Sequence, residues 1–196
     1  MSCDPVKILC FGDSNTFGYD PRSFFGSRYE ANHRWVDIVQ DSTGFTMINA
    51  GQNGREIPRR NFEFQAIQDL LRQHNPHGIL VMLGTNDLLQ GADLDTVTAR
   101  MEAFLQVLPL PVLLIAPPTL QRGAWVETDS PVAASRLLGE HYRGIADRLQ
   151  IPFADSGMWE IELTFDGVHF SESGHCTFAD HLTQLLRGEP IWGTSR

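Results

Sequence analysis

The 196-residue chain is short of cysteine, of positive charge and of long apolar runs, and each shortage removes a class of protein. Its three cysteines, Cys3, Cys10 and Cys176, stand at unrelated spacings without a Cys-x-x-Cys pair, which argues against zinc-binding or dithiol redox work. They read as reduced thiols, and Cys10, inside an apolar stretch, reads as a small buried hydrophobe. Only 15 Lys and Arg face 24 Asp and Glu, a formal net charge of −9, so no basic surface awaits phosphate backbones or anionic headgroups. Neither nucleic acid nor membrane is an expected partner; a neutral or cationic small molecule is. No apolar run approaches the roughly 20 residues that a spanning helix needs. Residues 1–7 lack the basic stretch and apolar run of a secretory signal, so a cytoplasmic location is the expectation. No internal repeat or low-complexity stretch interrupts the chain.

What is present is the composition of an ordinary globular protein, 42% hydrophobic and 20% charged, at a length that suits one domain over residues 1–196. Short apolar runs at 7–11, 45–49, 78–83, 111–116 and 151–154 alternate with longer amphipathic segments at 34–41, 59–74, 94–108, 131–149 and 171–186. This alternation predicts an α/β protein of three layers, α/β/α, with a five-stranded parallel sheet in the doubly wound order 2-1-3-4-5. Three longer loops, 18–33, 117–130 and 156–168, follow predicted strand ends. In open parallel sheets the ligand crevice lies beyond those carboxyl ends, so these loops are expected to enclose it.

Four segments at those ends carry chemistry. The first strand runs into Gly12-Asp13-Ser14-Asn15-Thr16-Phe17-Gly18, where a glycine before the serine permits a tight turn and presents a hydroxyl as a nucleophile would be presented. An N-cap serine in an ordinary strand-to-helix turn is the competing reading. A phosphate loop is disfavoured, because no Gly-Lys-Ser/Thr ending follows. After the second strand, Asn49-Ala50-Gly51-Gln52-Asn53-Gly54-Arg55 offers glycines at which a backbone N–H can approach a ligand, or simply a turn. After the third, Gly84-Thr85-Asn86-Asp87 offers a side-chain amide able to donate to a developing oxyanion, or a capped turn. Near the end, Asp166-Gly167-Val168-His169 has a spacing that lets the carboxylate reach back to the imidazole and fix its tautomer. Together they supply a nucleophile, oxyanion donors and an oriented base, which is the inventory for acyl transfer.

These blocks, in this order, resemble the SGNH hydrolases, also called GDSL-like esterases and lipases, over about residues 7–187. Asn15 stands where the namesake motif has leucine, a frequent variant. The resemblance implies Ser14 as nucleophile, His169 as general acid/base and Asp166 as its orienting carboxylate. It also implies an oxyanion hole made of the Ser14 N–H, the Gly54 N–H and the Asn86 amide, with Gly51 as the other register for the glycine. The run from Gly12 to Pro21, with Arg34-Trp35 downstream, is similar to the arylesterase and acyltransferase-like branch, which acts on small esters.

The expected function is therefore a serine hydrolase of small or short-chain carboxylic esters, without cofactor or metal, with acyl transfer as a second outcome. A carbohydrate O-acetyl esterase and a non-catalytic ester- or carbohydrate-binding module are the alternatives. A metal set of Asp166, His169 and His175 matches no usual zinc spacing. His74 and His77 read as a solvated helix end, and His33, His141 and His181 receive no role. Leu88 and Val168, beside residues placed by chemistry, are expected to face the acyl group. The loop aromatics Tyr19, Phe24, Phe25, Tyr29, Trp125, Trp159 and Phe165 either line the pocket or pack the loops; Tyr19 and Trp125 are the pocket candidates. Oligomeric state is not legible.

Overall fold

A computed structural model describes residues 5–23, 25–188 and 191–192, so Cys3 and Phe24 lie outside the described residues. The five strands, β1 (Lys7–Gly12), β2 (Thr46–Asn49), β3 (Gly78–Met82), β4 (Val112–Ala116) and β5 (Phe153–Asp155), form one parallel sheet in the order β2-β1-β3-β4-β5. Ile8 of β1 pairs with Met47 of β2 on one side and with Gly78 of β3 on the other. The order is the one the sequence predicts.

Both faces of the sheet are covered, which is why the strands read as unbroken apolar runs. Side chains alternate between two cores. Ile8, Cys10, Leu80, Met82, Leu113 and Ile115 join one, under α2 (Trp35–Thr43) and α7 (Glu172–Gly188). Phe11, Ile79, Val81, Leu83, Leu114 and Ala116 join the other, under α3 (Asn61–His74), α5 (Leu94–Gln106) and α6 (Asp129–Leu149). Cys10 is fully buried, and burial pushes its thiol pKa well up.

Local chemistry sets the helix ends. The Glu63 carboxylate accepts from the Arg59 and Arg60 N–H groups at the start of α3, and Asp93 caps α5 through the Thr96 N–H. Ser171 caps α7 by accepting from the Gly174 N–H at 3.0 Å, and its own N–H, which a capping glutamate would take, donates to the Glu162 carbonyl. The fifth strand starts later than 151–154 predicts. Gln150 takes a left-handed conformation and the Ile151 N–H bonds back to the Ala146 carbonyl, so Ile151 closes the C-terminal cap of α6 instead of opening β5. Two one-turn helices, α1 (Ser14–Phe17) and α4 (Thr85–Leu89), form at segments the sequence reads as turns, the first with a helix start in its competing reading. Each begins beyond the carboxyl end of a central strand. No described helix is long and apolar enough to cross a membrane.

Candidate active site

The Ser14 turn is built by its neighbours. Asp13 caps α1 by accepting from the Asn15 N–H at 2.9 Å, which leaves Ser14 as the first helical residue with its hydroxyl at the strand end. Asp13 is buried; desolvation raises its pKa to about 6, against the opposing Asn15 backbone hydrogen bond and the charges of His169 and Arg55. Arg55 binds the second loop to this turn. Its guanidinium donates to the Gly12 carbonyl at 2.7 Å and also to the Ala50 carbonyl, and lies 4.1 Å over the Phe11 ring.

The acid loop is organised around one carboxylate. Asp166 Oδ1 accepts from the Val168 and His169 N–H groups and from the Thr164 hydroxyl, at 2.9, 3.0 and 2.9 Å. Its Oδ2 accepts from His169 Nδ1 at 2.6 Å. Burial opposes ionisation, yet these donors, led by the His169 ring, hold the Asp166 pKa at about 2. With Nδ1–H committed to the carboxylate, Nε2 is the accepting nitrogen, and it lies 2.9 Å from Ser14 Oγ. Ser14, His169 and Asp166 are all buried, at 5%, 2% and 0% exposure. The fold thus brings a Ser-His-Asp relay together from the first and last blocks of the sequence.

A cavity of about 370 Å³ opens onto this relay. Gly54, Asn86 and Val168 line it beside Ser14 and His169, and Tyr19 and Trp125 form an aromatic wall. The Tyr19 and Trp125 rings lie 4.7 and 4.9 Å from the imidazole, centroid to centroid. Asn53 and Leu89 also line it, and sequence reasoning missed both. The assignment of Leu88 is corrected. Because residues 85–89 form a helical turn, Leu88 points into the core at 4% exposure, while Leu89, one turn beyond Asn86, takes the cavity side. An i, i+3 relation would have revealed it had the segment been read as helix.

The two glycine registers separate clearly. The Gly51 N–H donates to Asn49 Oδ1 at 3.0 Å, and a Cβ there would lie 2.1 Å from the Phe17 nitrogen, so Gly51 is a packing glycine. Gly54 follows Asn53 in a turn closed by the Arg55 N–H on the Gln52 carbonyl. It has φ +72°, a left-handed conformation that favours glycine, and its N–H makes no hydrogen bond among the described residues. Asn86 Nδ2 donates to the Arg55 carbonyl at 3.0 Å, which pins the amide at the cavity edge. The next residue, Asp87, is fully buried and structural: it accepts from the Ile57 N–H at 2.9 Å and from Arg100 at 3.0 Å.

The remaining aromatics divide. Tyr29 packs on His175 with its hydroxyl on the Phe170 carbonyl, and Trp159 packs on Phe178 and stacks with His181. Phe25 and Phe165 are exposed. His175 does not join Asp166 and His169. Its Nδ1 faces the Trp35 N–H at 3.4 Å, and no group of three metal-ligating side chains occurs among the described residues. His77 accepts from the Lys7 N–H, His141 pairs with Thr98 and His33 lies 3.3 Å from Glu172.

Residues 10–176 match the model of the GDSL-like lipase/acylhydrolase family. The chain belongs to that family. It is by that membership a carboxylic ester hydrolase. No curated protein matches it by sequence. Among solved structures it is similar to a provisionally named arylesterase from Agrobacterium tumefaciens, at 25% identity and TM-score 0.83 over 93% of this chain and 99% of that one. A carbohydrate acetylesterase family member from Sinorhizobium meliloti shares the fold at 24% identity and TM-score 0.82, over 96% of this chain and 100% of that one. So does the aryl esterase of M. smegmatis, at 24% identity and TM-score 0.79, over 93% of this chain and 99% of that one.

Proposed function

We propose that the protein hydrolyses esters of small or short-chain acyl groups through an acyl-enzyme on Ser14. The observation that carries this reading is the continuous relay, Ser14 Oγ to His169 Nε2 at 2.9 Å and His169 Nδ1 to Asp166 Oδ2 at 2.6 Å, facing a small cavity. Ser14 attacks the ester carbonyl while His169 takes the hydroxyl proton, and Asp166 stabilises the imidazolium that forms. The developing oxyanion is met by the Ser14 and Gly54 N–H groups and the Asn86 amide. His169 returns the proton to the departing alcohol. It then deprotonates the water that attacks the acyl-enzyme and returns that proton to Ser14 Oγ as the acid leaves. An acceptor alcohol in place of that water gives acyl transfer by the same intermediate.

The lining supports an uncharged substrate, because among the described residues His169 is its only titratable group apart from the Tyr19 phenol. The same machinery removes acetyl groups from sugars, and the fold shared with the S. meliloti acetylesterase keeps that as the second reading. Labelling with a fluorophosphonate tests the nucleophile: wild type should gain one adduct on the Ser14 peptide, and folded Ser14→Ala none. Retention of more than a tenth of wild-type turnover by Ser14→Ala would defeat the assignment. A panel of acyl lengths, with aryl, alkyl and sugar acetates, separates the two substrate readings.

A further inference from the structure

The residue after the nucleophile bridges the two halves of the relay. Asn15 is buried at 4% exposure. Its Nδ2 donates to the Val168 carbonyl at 3.1 Å, and its Oδ1 accepts from the Phe170 N–H at 2.9 Å. One amide therefore closes on the backbone at both sides of His169. Asn15 is itself fixed: its N–H donates to Asp13 and its carbonyl accepts from Trp35 Nε1 at 2.9 Å. The side-chain bonds of Asp166, by contrast, stay within its own loop, on Thr164, Val168 and His169. They orient the imidazole relative to that loop and say nothing about where the loop stands relative to Ser14. Backbone bonds from Gln121, Ala124 and Trp125 hold the loop to the 117–130 segment, not to the Ser14 turn. Apart from the Ser14–His169 contact, the two Asn15 bonds are the hydrogen bonds that join residues 161–171 to residues 12–18 among the described residues.

We propose that Asn15 is a positioning residue that sets the separation of the Ser14 hydroxyl and the His169 imidazole. Leucine, the residue of the namesake motif, has the same number of side-chain heavy atoms, branched at the same carbon, but can neither donate nor accept here. Proton transfer demands a hydrogen-bond distance, and small misplacements of reacting groups cost rate steeply. This proposal rests on the reading of Ser14 and His169 as nucleophile and base, so the test separates the two. Hydrolysis of p-nitrophenyl acetate is measured for wild type, Ser14→Ala, Asn15→Leu and Asn15→Ser, with folding checked by circular dichroism and Tm. Substantial turnover in Ser14→Ala would remove the nucleophile, and the proposal with it; its loss leaves the Asn15 variants to test positioning alone.

In folded Asn15→Leu or Asn15→Ser, kcat should fall on the order of 10- to 100-fold with KM changed less than about threefold. A residue that only stabilised the fold would lower Tm and leave kcat and KM of the folded protein unchanged. Either variant folded, with kcat within about twofold of wild type, overturns the proposal. If neither variant folds, Asn15 is a folding residue and the proposal is likewise lost.

Discussion

Two histidines, His169 and His175, stand close together in the chain and are both buried, at 2% and 0% exposure, yet they meet opposite surroundings. His169 has a carboxylate on one nitrogen and a hydroxyl on the other, and a cavity beside it. His175 has the edge of Tyr29 and the ring of Phe170 around it, a long contact from the Trp35 N–H, and no hydrogen-bond partner for its Nε2 among the described residues. Desolvation, helped by the charges of His169, Arg34 and His33, drives the His175 pKa down to about 3. Burial alone makes a histidine inert. In the proposed mechanism the buried carboxylate, 2.6 Å from the other ring, is the group that would stabilise it once it takes a proton from Ser14.

The sharpest way to break this comparison is to truncate His169. His169→Ala should lower kcat by roughly 10⁴ to 10⁶, the scale of losing a member of such a unit. Asp166→Asn should be nearly as damaging, because it leaves His169 as His175 is, a buried ring without a negative partner; the corresponding change in the template serine proteases costs about 10⁴. Steady-state kinetics on folded variants decide it. Activity within tenfold of wild type in either one would erase the distinction between the two histidines.

The side of the cavity facing the relay gives the next largest effect. If Asn86 donates to charge that develops on the carbonyl oxygen, Asn86→Ala should reduce kcat by on the order of 10² to 10³ with little change in KM. A turn-capping role alone predicts a stability loss of about 1 kcal/mol with near-normal turnover. Melting temperature and kcat measured on the same variant distinguish the outcomes, and a destabilised but fully active protein would take Asn86 out of the reaction.

Much of this was legible because it is local or periodic. Strands buried on both faces advertise themselves as apolar runs, their alternation with helices implies a parallel sheet, and its order is the one common to doubly wound folds of this size. The Asp166–His169 pairing is a three-residue relation, visible in one glance at the sequence. Other features needed tertiary structure. One-turn helices such as α4 are too short to show a period, so the change of face between Leu88 and Leu89 was hidden. The division of the loop aromatics depends on which rings reach His169, and Tyr19 and Trp125 reach it from different loops. The two bonds from Asn15 to the far end of the chain cross the whole fold and leave no local pattern.

The smallest expected effect belongs to His175, and it sharpens the comparison through pH. The unfolded histidine takes up a proton as the pH falls through about 6.5, whereas folded His175 stays neutral down to about 3. Across that window the unfolded state binds more protons, so this residue lowers stability as the pH falls, by up to about 1.4 kcal/mol per pH unit. Asp13 works in the opposite direction. Its folded pKa of about 6 lies above the ordinary 3.8, so between those values the folded state binds more protons and gains stability on acidification. His175→Gln removes the first contribution and leaves the second. At pH 7 the variant should be less stable by about 1–2 kcal/mol, from disturbed aromatic packing, with kcat within about twofold of wild type. By pH 5 the gap should close or reverse, by up to about 2 kcal/mol. Urea unfolding of both proteins at the two pH values measures it. A gap that stays constant would mean that His175 titrates alike in both states, and that its aromatic enclosure does not keep it neutral.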